Sequence, residues 1–179
     1  KSPSPHRIRS DCPISEACGG CQLRHMAYGA QLEWKRQTVV DALTRIGKFK
    51  GPNVQPVIGM ENPNGYRNKV HFPAGIVRGH LALGFYKRGT HALVPVNDCI
   101  NAYPLCNDAK NAVEELLNKY RIPPYNGRTR KGLIRHVICR VSVDRNELMV
   151  VIVTNGSDLP RQDEFLKDLV KALPNLVSV

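Results

Sequence analysis

Apolar positions recur at two periods along this chain, and each change of period marks a new element. Over residues 28–46, Leu32, Val39, Leu43 and Ile46 fall on one stripe with Lys35, Arg36, Asp41 and Arg45 mostly off it. That spacing predicts a helix, with Gly47 as its stop, whose stripe needs a partner surface. Residues 51–65 hold Pro52, Pro56, Pro63 and the turn signal Asn64-Gly65, and read as a connector. Extended segments follow at 66–77 and 81–87, flanking the turn Arg78-Gly79-His80, with a third short piece at 92–96. Together they predict an antiparallel meander.

In the second half, Asn107 or Asp108 is expected to cap a helix running to Tyr120, with Val113, Leu116, Leu117 and Tyr120 on one face and Pro123-Pro124 ending it. Residues 133–143 alternate as a strand. Leu133, Val137, Cys139, Val141 and Val143 take one side, and Ile134, His136, Ile138, Arg140 and Ser142 the other, with Arg135 breaking the first set. The run 148–154 is almost wholly apolar and is expected inside the sheet. Pro160 opens a helix that buries Phe165, Leu166, Leu169, Val170 and Leu173, and 176–179 returns to the sheet. The fold class expected is α+β: a mostly antiparallel sheet with packed helices, preceded by an N-terminal metal-binding loop. Residues 1–50 read as that loop plus a helical arm, and 51–179 as the body.

A chain of 179 residues with 42% hydrophobic content can bury a real core. No apolar run approaches the roughly 20 residues that cross a bilayer, so no membrane partner is expected, and clustered thiols point to a reducing compartment, the cytoplasm. Starting at Lys1 and stopping in an apolar run, the chain reads as an excerpt of a longer protein. Its net charge of +11 is regional. Residues 62–97 and 116–143 contain no acid and hold 12 of the 26 Lys and Arg residues, leaving the remainder close to neutral. Such a surface is either a solvated cationic face or a site for a polyanion.

Three thiols lie within ten residues, Cys12, Cys18 and Cys21, spaced C-x5-C-x2-C around Gly19-Gly20. Cys99 is the best fourth ligand, with Cys106 as a substitute, and Cys139 sits in a strand as a core residue. Disulfides suit small secreted chains, and are the lesser expectation here because the chain is long enough for its own core, shows no apolar signal segment and clusters its thiols as a metal site does. Zinc and an iron–sulfur cluster both fit the spacing.

No Gly-rich phosphate loop, G-x-G motif, catalytic triad or paired acid constellation declares itself, and the histidines are scattered. Features suited to RNA do appear. The segments Tyr66-Arg67-Asn68-Lys69-Val70-His71-Phe72 and Gly84-Phe85-Tyr86-Lys87-Arg88-Gly89 interleave cations with rings, as a surface that holds phosphates and stacks bases would. Arg67, Lys69, Lys87, Arg88, Arg128, Arg130 and Arg135 are the candidate RNA contacts; Phe72 and Phe85 read as core.

As a set, Cys12-x5-Cys18-Gly-Gly-Cys21, Tyr66-Arg-Asn-Lys69, Gly84-Phe-Tyr-Lys-Arg-Gly89, Asp98-Cys99 and Gly132-Leu-Ile-Arg-His-Val137 resemble the iron–sulfur RNA (uracil-5-)-methyltransferases, the RumA-type enzymes of bacterial 23S rRNA. The resemblance implies a [4Fe–4S] cluster on Cys12, Cys18, Cys21 and Cys99. It also implies an OB-like domain before this region and a Rossmann-like S-adenosylmethionine domain after it. In that family a cysteine of the later domain adds to C6 of uracil so that C5 can attack the methyl group. No residue here matches that cysteine or its general base, so the fragment alone is expected to be inactive. The rival reading is a free-standing iron–sulfur or zinc module for RNA binding or electron transfer, which a natural C-terminus at Val179 would favour.

Overall fold

The computed structural model describes residues 2–179. They form two compact units: residues up to Ser15 with Cys21–Pro63, and Glu16–Gly20 with Asn64–Val179.

In the first unit, the extended N-terminal segment pairs with residues before helix α1 through Ile8 N–H to His25 O and Ala27 N–H to His6 O, both 2.9 Å. Helix α1 (Tyr28–Asp41) runs into a π-helical turn at Ala42–Ile46 and stops at Gly47, as its periodicity predicts. The segment after it folds back along the helix. Met60 N–H donates to the Tyr28 hydroxyl at 2.8 Å, and Arg36 Nε donates to Val54 O at 3.0 Å. No residue of α1 is buried, and Val39 and Ile46 of the expected stripe are exposed. An extended return segment covers too little of a helix to bury a whole face.

The second unit is a six-stranded sheet with two helices. Its strands are β1 (Lys69–Val77), β2 (His80–Tyr86), β3 (Leu93–Pro95), β4 (Ile134–Ser142), β5 (Glu147–Thr154) and β6 (Leu176–Ser178), in the order β3-β2-β1-β4-β5-β6. Every pairing is antiparallel except β5 with β6, so the expected α+β class and meander hold. Arg78 and Gly79 both take positive φ between β1 and β2, the two-residue turn whose twist matches the strands.

Helices α2 (Pro104–Lys119) and α3 (Gln162–Ala172) bury Val113, Leu116, Leu117, Phe165 and Leu169. The sheet contributes Val70, Phe72, Leu83, Val137, Cys139, Leu148 and Val150 to the core. Three expectations are corrected here. Val170, expected in the buried face of α3, is exposed. Helix α2 begins at Pro104, before Asn107, because the ring of proline already holds the helical φ at the first position. Ile134 is fully buried beside Val137 and Cys139, because a bulge between Ile134 and His136 shifts the alternation by one residue. The interior place expected for the apolar run at 148–154 holds, since β5 lies between β4 and β6, yet Met149 and Val151 stay partly exposed.

Candidate nucleic-acid interface and cysteine loop

Cys18 is seated on the end of β2. Gly19 N–H donates to Tyr86 O at 2.9 Å, and Cys18 bridges to Lys87. A Cβ at Gly19 would lie 2.7 Å from Tyr86 O, so the close approach requires glycine. Gly20 N–H donates to Cys18 Sγ at 3.3 Å, and Arg67 Nη2 donates to Gly20 O at 3.0 Å. Arg67 is thus half-buried in the cysteine loop, and its guanidinium also lies 5.7 Å from the Tyr66 ring centroid.

Cys99 is held from α2. The Asn107 side chain accepts from Cys99 N–H at 3.1 Å and donates to Cys99 O at 3.2 Å, while also donating to the Asp98 carboxylate. The strand-like stretch before β1 reinforces the loop: Gly65 N–H donates to Ile100 O at 2.9 Å and Arg67 N–H to Asn101 O at 2.8 Å. Under it lies Cys106, its sulfur 4.0 and 3.9 Å from the carbonyls of Arg67 and Asn68. Burial, then the neighbouring Cys99, pushes the Cys106 thiol up to about 11, and burial pushes Cys139 up to about 12. Both thiols are fully buried among core side chains.

Cys12, Cys18, Cys21 and Cys99 are half-buried, and Cys106 and Cys139 are buried. Cys12 and Cys21 belong to the first unit, Cys18 and Cys99 to the second. Among the described residues, no three or more Cys, His, Asp or Glu side chains are gathered to hold a metal ion.

Of the candidate cations, Lys69 lies on the sheet face opposite the helices. Register places Lys69, Arg140 and Met149 in one cross-strand row, His71, Ile138 and Val151 in the next, and Pro73, His136 and Val153 in a third. Slight desolvation at this exposed position, then the charges of Lys69, His136 and Arg140, hold the His71 pKa below its ordinary value. Lys87 and Arg88 are exposed beyond β2, and Arg128 and Arg130 are exposed before β4. Arg135 lies 4.0 Å over the Tyr125 ring centroid and donates to Asn155 Oδ1 at 2.6 Å. Of the two phenylalanines, Phe72 is fully buried and Phe85 half-buried against it, centroids 5.5 Å apart.

Arg128 and Arg135 also line a groove of about 960 Å³, together with Tyr86, His91, Tyr125 and His136. The sequence does not mark Tyr125, His91 or Asn107 as a contact or a ligand neighbour, and His91 reads there as one of the scattered histidines. Tyr125 stands one residue after Pro123-Pro124 in a basic loop, the only local signal it offers; Asn107 read as a helix cap.

No protein-family model matches the chain. It is 43% identical to an uncharacterized RNA methyltransferase of Caldanaerobacter subterraneus over 98% of its own length and 39% of that protein's. An uncharacterized RNA methyltransferase of Listeria innocua is 40% identical, again over 98% of this chain and 39% of the relative. The chain therefore spans about two fifths of the length of these relatives. Among solved structures, it superimposes on the Pyrococcus abyssi tRNA (uracil-54, C5)-methyltransferase, crystallised with S-adenosyl-L-homocysteine, with a TM-score of 0.67 and 25% identity. That match covers 90% of this chain and 35% of the archaeal one.

Proposed function

We propose that this chain is the cluster-bearing, RNA-gripping region of a cytoplasmic enzyme that transfers a methyl group from S-adenosylmethionine to C5 of a uridine in RNA, with 23S rRNA as the target. The observation that carries the reading is similarity over nearly the whole chain to a part of RNA methyltransferases, joined to a fold shared with a uracil-C5 enzyme. Residues 1–50 act as cluster loop and helical arm, and 51–179 as the RNA-binding body. On this reading, the methyl donor, catalytic cysteine and general base are supplied by a Rossmann-like domain, and further RNA contacts by an OB-like domain, both outside the segment this chain covers.

A [4Fe–4S] cluster on Cys12, Cys18, Cys21 and Cys99 suits the chemistry of the donor set. The four half-buried thiols contrast with two buried, protonated ones, and the Cys18 sulfur already receives a backbone N–H, the bond that stabilises a thiolate. When bound, such a cluster supplies a rigid four-thiolate tie, and methyl transfer to an activated uracil requires no electron from it. The chain's own residues hold and orient RNA: Lys69, Lys87, Arg88, Arg128, Arg130 and Arg135 present positive charge to phosphates, and Arg67 braces the cysteine loop.

The test uses the full-length protein, purified anaerobically, with 23S rRNA fragments and S-adenosylmethionine. Expected are 5-methyluridine by mass spectrometry and roughly four irons with matching sulfide per chain. The 179-residue chain by itself should yield no methylated product. Absence of 5-methyluridine from the full-length reaction overturns the assignment, and one zinc without iron overturns the cluster.

A further inference from the structure

The groove beside β3 has a construction that the phosphate-holding role alone does not explain. On one wall, the rings of Tyr86 and His91 meet edge to face with centroids 5.3 Å apart. Another part of the lining is Tyr125 with the Arg135 guanidinium 4.0 Å over its ring. Small residues, Ala74, Gly75 and Ala92, keep side chains out of the space between. At Gly75 a Cβ would come within 3.1 Å of Leu93 Cδ2, so a larger residue there would push β3 or fill the groove.

The lining contains no carboxylate, and all of it comes from the two acid-free stretches of the sequence. Arg128, Arg135, His91 and His136 supply positive charge or hydrogen-bond donors around rings. Asn126 shapes the loop that carries Arg128, its side-chain oxygen accepting from Arg128 N–H at 2.9 Å and Thr129 N–H at 3.2 Å. At about 960 Å³ the groove lies at the upper end of the range that encloses a drug-sized ligand, on the order of 300–1,000 Å³.

We propose that this groove binds unpaired nucleotides of RNA, about two bases stacking on the Tyr86–His91 and Tyr125–Arg135 platforms while Arg128 holds the phosphate between or beside them. A duplex is a poor occupant, since its base faces are already stacked and ring platforms have nothing to receive. The inference rests on RNA being the substrate and adds which form of RNA this region reads. It places the preference for an unpaired segment in this chain's own side chains.

The test measures binding of the chain to a fluorescein-labelled single-stranded RNA of mixed sequence, and to the same RNA annealed to its complement. Wild type should favour the single strand. Tyr86→Leu with Tyr125→Leu should lose about ten-fold or more of single-strand affinity, with little change for the duplex and an unchanged salt slope. Tyr86→Phe with Tyr125→Phe should restore it, because phenylalanine keeps the platform. Equal single-strand affinity in the leucine variant overturns the groove while leaving RNA as the substrate. Failure of wild type to bind any RNA overturns both. A second measurement avoids variants: photocrosslinking of wild type to 5-iodouridine RNA should label peptides containing Tyr86, His91 or Tyr125, and labelling confined to other peptides overturns the proposal.

Discussion

Asn107 and Cys99 exchange a pair of hydrogen bonds: the asparagine oxygen accepts the cysteine N–H at 3.1 Å, and its amide nitrogen donates to the cysteine carbonyl at 3.2 Å. A buried side chain inside α2 thereby imitates a strand partner and fixes the backbone that carries a candidate ligand. Asn107→Leu removes both bonds and leaves the Cys99 N–H without its acceptor, while the Cys99 carbonyl keeps the Ala102 N–H at 2.9 Å. We expect a loss of about 1–3 kcal/mol in urea unfolding. In the anaerobically purified protein, iron should also become easier to strip, read by the rate of bleaching with a chelator.

Gly19 is the point where the cysteine loop touches β2. With a methyl group brought to 2.7 Å from Tyr86 O, Gly19→Ala must lift the loop and lengthen the Gly19 N–H bond to that carbonyl. Amide exchange at Gly19 should accelerate at least ten-fold, while amides within β4 and β5 keep their protection. Unchanged exchange at Gly19 would mean that the strand, not the loop, yields.

Cys139 links stability to alkaline pH. Its folded thiol is raised to about 12 from an ordinary 9.0 by burial, so above pH 9 the unfolded chain releases a proton that the folded chain keeps. The contribution is full below pH 9 and is lost as pH rises toward 12. Cys139→Val keeps the volume and removes the titration. The stability difference between wild type and variant should shift steadily toward the variant between pH 9 and 11, measured by urea unfolding, and a flat difference would contradict the assignment.

Arg128 and Arg130 stand exposed in the loop before β4. Replacing both by Glu reverses charge at the groove's edge and should weaken RNA binding roughly ten-fold near physiological salt, lowering the slope of log affinity against log salt by about two. Fluorescence anisotropy across a salt series measures both. Unchanged affinity would move the RNA surface to the open sheet face around Lys69 and Arg140.

Local patterning determined much of this protein. The meander came from alternation around the turn at Arg78-Gly79, and β5 from its apolar run. The helices came from stripes that Val113, Leu117, Phe165 and Leu169 confirm by their burial. The cysteine spacing and the acid-free stretches were likewise visible as linear facts, since charge and ligand type need no fold to be read. Only the tertiary structure decided what depends on partners distant along the chain. Ile134 enters the core because β4 bulges against β5, Asn107 turns from cap to clamp because Cys99 folds back onto α2, and the stripe of α1 is covered in part, at Leu32 and Leu43 but not at Val39 and Ile46, where an extended segment lies along the helix. Tyr86 and Tyr125, 39 positions apart, line one groove because β1 pairs with both β2 and β4. Periodicity reports which face a residue takes within its own element; register and long-range return, set by the sum of many pairings, decide what that face meets.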